Sequence, residues 1–153
     1  MAESQFVYVT FIRTTPEKLW RALTEPEFTR KFWMGTTQDS EWKVGSPWRI
    51  SFSDGRVADT GEVVEIEPYR KLVLKWRHEL DPELTAEGFS RMTYELEQKG
   101  DSVKLTLTHV MEKDESKFIQ AVSGGWPIIL SSLKSLLETG ESLETTRGGP
   151  KGK

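Results

Sequence analysis

The period of hydrophobic positions changes twice along the chain. Residues 5–13, QFVYVTFIR, are rich in β-branched and aromatic side chains and read as a strand. Its two alternating sets, Phe6/Tyr8/Thr10/Ile12 and Val7/Val9/Phe11, are both mostly apolar, so alternation alone does not assign its faces. A helical rhythm follows in TTPEKLWRALT (14–24). Thr15 is placed to cap, Pro16 suits the first helical position, and Glu17 meets the positive end of the helix dipole. Leu19, Trp20 and Leu23 share a face, and Trp20 reads as a structural anchor. Pro26 stops this helix and opens a second, PEFTRKFW, whose apolar residues are Phe28, Phe32 and Trp33.

The period then becomes two. SEWKV (40–44) reads as a short strand. PWRISF (47–52) puts Trp48, Ile50 and Phe52 on one side, and Asp54-Gly55 signals a type I′ hairpin. VADTGEVVEIEP is a long strand stopped by Pro68. KLVLKWRH (71–78) sets Leu72, Leu74, Trp76 and His78 against Val73, Lys75 and Arg77. ELDPELTAEG (79–88) reads as a polar loop. FSRMTYELEQ and SVKLTLTHVM place Met92, Tyr94 and Leu96, then Val103, Leu105, Leu107 and His109, opposite polar sets. One-faced strands joined by short turns predict an antiparallel sheet with one dry and one wet face.

The helical period returns at Trp126, Ile129, Leu130, Leu133 and Leu137, with Gly140 as terminator and SKFIQAV able to add a turn or two upstream. Pro127 lacks an N–H, clashes with the carbonyl of Ser123 and biases Trp126 away from helical angles. The helix is therefore expected to kink at 124–127 or to start there, with the glycines letting backbone approach the sheet or a ligand. No repeat or linker divides the chain, which is expected to form one domain over 1–144. The small polar tail, residues 145–153, is expected to be disordered.

Composition narrows the functions. The 153 residues contain no cysteine, which excludes disulfides, thiol nucleophiles and thiolate metal sites. The net charge of −3 and the scattered basic residues argue against a nucleic-acid partner. No apolar run approaches the ~18 residues of a membrane span. The N-terminus lacks the basic and apolar regions of a signal peptide, so a cytoplasmic location is the default expectation. Six tryptophans are the unusual feature; they either fill a core or wall a wide cavity.

Candidate chemistry centres on His78 and His109, the only histidines. Both fall on the apolar phase near the C-terminal ends of their strands. If the intervening strand pairs with both, the imidazoles share one sheet end about 9–10 Å apart. That is too far to share a metal, and no Asp or Glu shares their phase nearby, so no metal or other cofactor is expected. Each histidine is either a hydrogen-bonding group in a pocket or a satisfied residue at the core edge. Tyr94 either orients a ligand or packs under the last helix with its hydroxyl on a backbone carbonyl. Asp59, in a strand of unclear faces, is expected to be exposed rather than inward. Glu65/Glu67 and Glu95/Glu97 read as a solvated outer face, and SGGWP lacks the lysine and spacing of a phosphate loop.

In order along the chain, PEKLWRALTEPE with a following FW, VVEIEPYRKLVLKWRH and GGWPIILSSLKSLLETG resemble the AHSA1-like branch of the START/Bet v 1-like (SRPBCC) superfamily over roughly residues 6–140. The resemblance implies an α+β helix-grip fold: a curved antiparallel sheet around the C-terminal helix, with a cavity between them. Where the family usually has a Gly-Gly turn this chain has GSPWRI, so Trp48 narrows the space. The implied function is binding of an apolar or aromatic small molecule without catalysis of its own. The alternatives are a chaperone-linked interaction module of the Hsp90-activator type and a polyketide cyclase-like enzyme using Tyr94 and the histidines. The expected ligand-binding set is Trp48, Trp76, His78, Met92, Tyr94, His109 and Trp126, with the two histidines at the cavity mouth.

Overall fold

The computed structural model describes residues 3–147. Strand β1 (Ser4–Ile12) is followed by two short helices, α1 (Pro16–Thr24) and α2 (Pro26–Phe32). Strands β2 (Thr37–Ser40), β3 (Pro47–Ser51), β4 (Val57–Glu67) and β5 (Lys71–His78) come next. A single turn of helix, α3 (Pro82–Thr85), precedes β6 (Ser90–Lys99) and β7 (Ser102–Met111), and α4 (Lys117–Thr139) closes the fold. The strands form one seven-stranded sheet in the order β1-β7-β6-β5-β4-β3-β2, antiparallel throughout. The architecture is the helix-grip arrangement that the family resemblance implies. No described helix is long and apolar enough to cross a membrane.

Local chemistry accounts for most of the boundaries. The Thr15 hydroxyl accepts from the Lys18 amide, with Pro16 at the first position of α1. Gly140 ends α4 in the left-handed conformation at φ 89°, as a C-terminal glycine commonly does. On β1 the set Phe6/Tyr8/Ile12 turns inward, which leaves Val7, Val9 and Phe11 exposed on the outer face. The helix α4 lies over the face carrying Leu74, Trp76, Tyr94, Leu105 and Leu107, all buried, as is Leu133 from the helix. Register shifts in β3 and β4 mark bulges, which bend and twist strands.

Several expected elements differ. Of the two alternatives for α4, a start at 124–127 is excluded: the helix runs from Lys117 through Pro127 to Thr139, with Trp126 inside it. The predicted strand at 40–44 is instead the end of β2 and a turn. Trp42 there takes a left-handed backbone at φ 56°, and the Ser40 and Ser46 hydroxyls accept from the Trp42 and Lys43 amides. The hairpin at Asp54-Gly55 is not type I′. Only Gly55 has positive φ, and the Gly55 amide donates to the Phe52 carbonyl, which gives a three-residue loop. The loop at 79–88 contains α3, started by Asp81, whose carboxylate accepts from the Glu83 amide.

Glu144–Thr146 forms a 3-10 turn, whose last two residues are the first two of the segment expected to be disordered, 145–153. Thr146 is fully buried. Its hydroxyl donates to the Leu143 carbonyl and receives the Ser132 hydroxyl of α4 at 2.5 Å, while Ser132 accepts from the Leu143 amide. The remainder of that segment, 148–153, lies outside the described residues.

Two substitutions check the packing. Leu133→Ala should cost about 2–5 kcal/mol, the range for deleting a buried leucine side chain. Gly61→Ala should be severely destabilising, because the added Cβ would stand 1.7 Å from the Lys75 carbonyl oxygen on the neighbouring strand. Denaturant unfolding measures both; a loss below ~1 kcal/mol at Leu133 would place it outside the core.

Candidate functional site

The aromatic residues of the sheet, α2 and α4 converge at one end of the sheet. Trp76 on β5 is the hub. Its ring centroid lies 4.5 Å from Trp48, 5.2 Å from His109, 5.6 Å from Trp126 and 6.0 Å from Trp33. Trp48 reaches Trp76 across Gly61, which pairs with both strands and has no side chain to hold them apart. The Trp48 indole donates to the Gln38 side-chain oxygen, leaving the buried Gln38 nitrogen without a partner.

His109 is fully buried, not at a mouth. The Trp126 indole N–H donates to His109 Nδ1 at 3.1 Å, so that nitrogen carries the lone pair. Nε2 then carries the proton and donates to Ser90 Oγ at 2.8 Å, and Ser90 donates its own proton to the Trp76 carbonyl. Every atom in this relay has one defined role, and together they tie α4 to three strand residues. Burial pushes the His109 pKa down to about 3.

His78 has a different environment. Its Nδ1 lies 3.0 Å from Asp59 Oδ1, and the same oxygen accepts the Trp76 indole N–H at 3.0 Å. Asp59 is the cross-strand partner of His78 and is buried, against the expectation of an exposed carboxylate and of no acid near the histidines. The hydrogen bond to Asp59 is the main cause that raises the His78 pKa, and burial opposes it.

Beside this pair is an open cleft of about 300 Å³. Trp33, Trp76 and Trp126 make its aromatic wall; Phe118, Val122 and Ile129 of α4 add aliphatic and aromatic surface; Leu84 of α3 borders it, and Asp59 and His78 supply the polar end. Ala121 and Gly125 also face it, and a Cβ built on Gly125 would meet nothing within 4 Å. The helix glycines therefore do not serve close packing on the sheet; Gly125 leaves its space to the cleft.

Of the expected ligand-binding set, Trp76, His78 and Trp126 line this cleft. Trp48, Met92, Tyr94 and His109 do not; they are buried in the core beneath it, where side chains fill the space between sheet and helix. The Tyr94 hydroxyl is buried without a hydrogen-bond partner, on neither a ligand nor a backbone carbonyl, and burial drives its pKa far upward. Sequence reasoning missed Trp33, Leu84, Phe118 and Asp59 as lining residues. The available signal for Asp59 was its position opposite His78 once β4 and β5 are registered. Among the described residues no group of three His, Cys, Asp or Glu could hold a metal ion.

A curved antiparallel sheet closed by a long helix, with an aromatic cleft at one end, defines a helix-grip protein. Residues 13–138 match the family model of the Activator of Hsp90 ATPase homolog 1-like proteins, and the chain belongs to that family. Among solved structures, protein MLL2253 from Mesorhizobium loti is similar at 28% identity and a TM-score of 0.75, covering 88% of this chain and 97% of that one. The Aha1 dimer from Colwellia psychrerythraea matches at 22% identity and a TM-score of 0.71, over 91% and 99% of the two chains. PFC0360w, an HSP90 activator from Plasmodium falciparum, matches at 24% identity and a TM-score of 0.68, over 87% and 95%. A comparison with curated proteins finds no match.

The buried relay makes stability depend on pH. An unfolded histidine takes up its proton near 6.5, roughly, whereas native His109 resists it down to about 3. The contribution is thus complete above the unfolded value and is lost as pH falls, by up to about 1.4 kcal/mol per unit below 6.5. Urea unfolding between pH 7 and 5 should show this acid-side loss, and His109→Gln should remove it, leaving the opposite contribution of His78, whose raised pKa stabilises the fold as pH falls.

Proposed function

We propose that this protein binds a small, planar, apolar molecule in the cleft between α4, the end of α2 and the β4–β5 strand ends. The observation that carries the reading is the set of three indoles facing one open volume, with a single polar pair at its end. A volume of about 300 Å³ stands at the lower limit for small-molecule sites, which favours a ligand of one to three rings. Offset and edge-on contacts with the indole faces add roughly 0.5–1.5 kcal/mol each beyond area burial. The role is binding rather than catalysis, and a cytoplasmic location suits it.

A second reading is favoured by the family itself: a partner that docks on a chaperone of the Hsp90 type. The exposed outer stripe Val7, Val9 and Phe11 would supply its contact. Stimulation of a chaperone ATPase by the purified chain, lost on Val9→Lys, would select this reading over the cleft.

Gly125 offers a test that separates binding from folding. Gly125→Ala should raise stability by about 0.5–1 kcal/mol, since glycine is costly inside a helix and the added methyl meets only open space. Gly125→Leu should fill the cleft and abolish saturable quenching of tryptophan fluorescence by planar aromatic compounds, with the fold retained by circular dichroism. Unchanged quenching in the leucine variant would remove the cleft from consideration.

A further inference from the structure

We propose that the cleft selects neutral planar ligands carrying a weakly acidic hydroxyl, which donates its O–H to Nε2 of His78. This rests on the cleft being the binding site and adds the chemistry that site discriminates.

The argument begins with Asp59 Oδ1. It faces two donors at 3.0 Å, the Trp76 indole N–H and His78 Nδ1. A carboxylate oxygen only accepts, so Nδ1 carries the proton, and neutral His78 has its lone pair on Nε2. Among the described residues no side chain or backbone group bonds Nε2, while His78 itself lines the cleft. The cleft therefore presents a fixed acceptor at the end of an apolar wall. The backing is rigid: Trp76 is held in the aromatic hub, and the Thr85 hydroxyl of α3 donates to the His78 carbonyl at 2.7 Å.

The charge balance chooses among ligands. With His78 neutral the Asp59–His78 pair already carries one negative charge, so a carboxylate would bring a second against apolar walls, which is costly. An ether or hydrocarbon would desolvate Nε2 without replacing its hydrogen bond. A phenol or enol donates its proton to Nε2 and buries no additional charge. If the proton moves across, the phenolate and imidazolium form the same one-proton complex, so the interaction survives either arrangement.

The groups around His78 set the pH range. Asp59 faces it from β4, Glu79 follows it in the chain, and Asp81 caps α3. The α4 residues that line the cleft are uncharged. The Asp59 hydrogen bond and the neighbouring acids raise the imidazole above its usual value, so protonation removes the acceptor at higher pH than it would for a free imidazole. Binding of a phenol should follow a bell, falling on the acid side as His78 protonates and on the alkaline side as the ligand ionises near 10, roughly.

The test is calorimetric titration of the intact chain with three probes of one shape: β-naphthol, its methyl ether, and β-naphthoate. The expected result is that naphthol binds about tenfold or more tightly than either analogue, the loss on leaving a buried acceptor unpaired. His78→Phe should bring the three affinities together while leaving binding in place, and Asp59→Asn should move the acid limb of the naphthol profile to lower pH. Equal affinities for naphthol and its ether in the unaltered chain would overturn the hydroxyl selection and leave the cleft reading standing. A preference that persists in His78→Phe would also overturn it. Failure of all three probes to bind would overturn both.

Discussion

The hydrogen bond from the Trp126 indole to the buried imidazole of His109 is the constraint on which the remaining arrangement depends. It fixes the rotation of α4 over the sheet at the turn where Gly124, Gly125 and Pro127 weaken the helix ladder. Pro127 cannot donate, so the Ser123 carbonyl loses its ordinary helical partner. A segment so poor in intrinsic helix propensity stays helical because packing overrides propensity. Trp126 contributes most to that packing: it meets Trp33, Trp76, Tyr94 and His109 in one cluster. The N-terminal end of the helix is held by other means. Glu87 accepts from the Lys117 and Phe118 amides and the Ser116 hydroxyl, which places its carboxylate at the positive end of α4 and joins the α3 segment to it.

The two histidines show how one residue type is directed to opposite ends of its range by surroundings alone. His109 has only neutral partners and is deprived of water, so its neutral form prevails. His78 has a carboxylate behind it and solvent in front, so it takes up a second ring proton more readily than a free imidazole does, while its neutral form keeps Nε2 as an acceptor. Trp76 connects the two. Its ring touches His109, its indole N–H shares Asp59 with His78, and its carbonyl receives the Ser90 hydroxyl that completes the His109 relay. A shift of β5 by one residue would break both environments together.

Much of the fold was legible because binary patterning was clean where one face is dry. The strands KLVLKWRH and SVKLTLTHVM alternate without ambiguity, and Thr15-Pro16 and Gly140 marked helix ends by local chemistry. Less was legible where backbone conformation depends on a tertiary partner. The left-handed Trp42 in a predicted strand and the buried Thr146 in a predicted disordered tail owe their positions to the hydroxyls of Ser40 and Ser132. The site was half legible for a related reason. Phase identifies which residues face inward, and it placed Trp76, His78 and Met92 correctly on that side. It does not tell which inward residues are covered by others. Depth is set by where α2 and α4 lie, so Tyr94 and His109 fell beneath the cleft while Trp33, from a different element, became its wall. Asp59 escaped because a strand with mixed polarity gives no phase, and its inward direction follows from cross-strand pairing.

The closeness of the indoles has an optical consequence. Rings whose centres are 4.5–6.0 Å apart are electronically coupled chromophores, so light absorbed by one is shared among Trp33, Trp48, Trp76 and Trp126 before emission. Their near-ultraviolet circular dichroism should carry exciton character, set by interplanar angles that range from 27° to 69°. An occupant resting on Trp33 alone would therefore perturb the emission of the whole group, Trp48 included, although Trp48 lies outside the cleft.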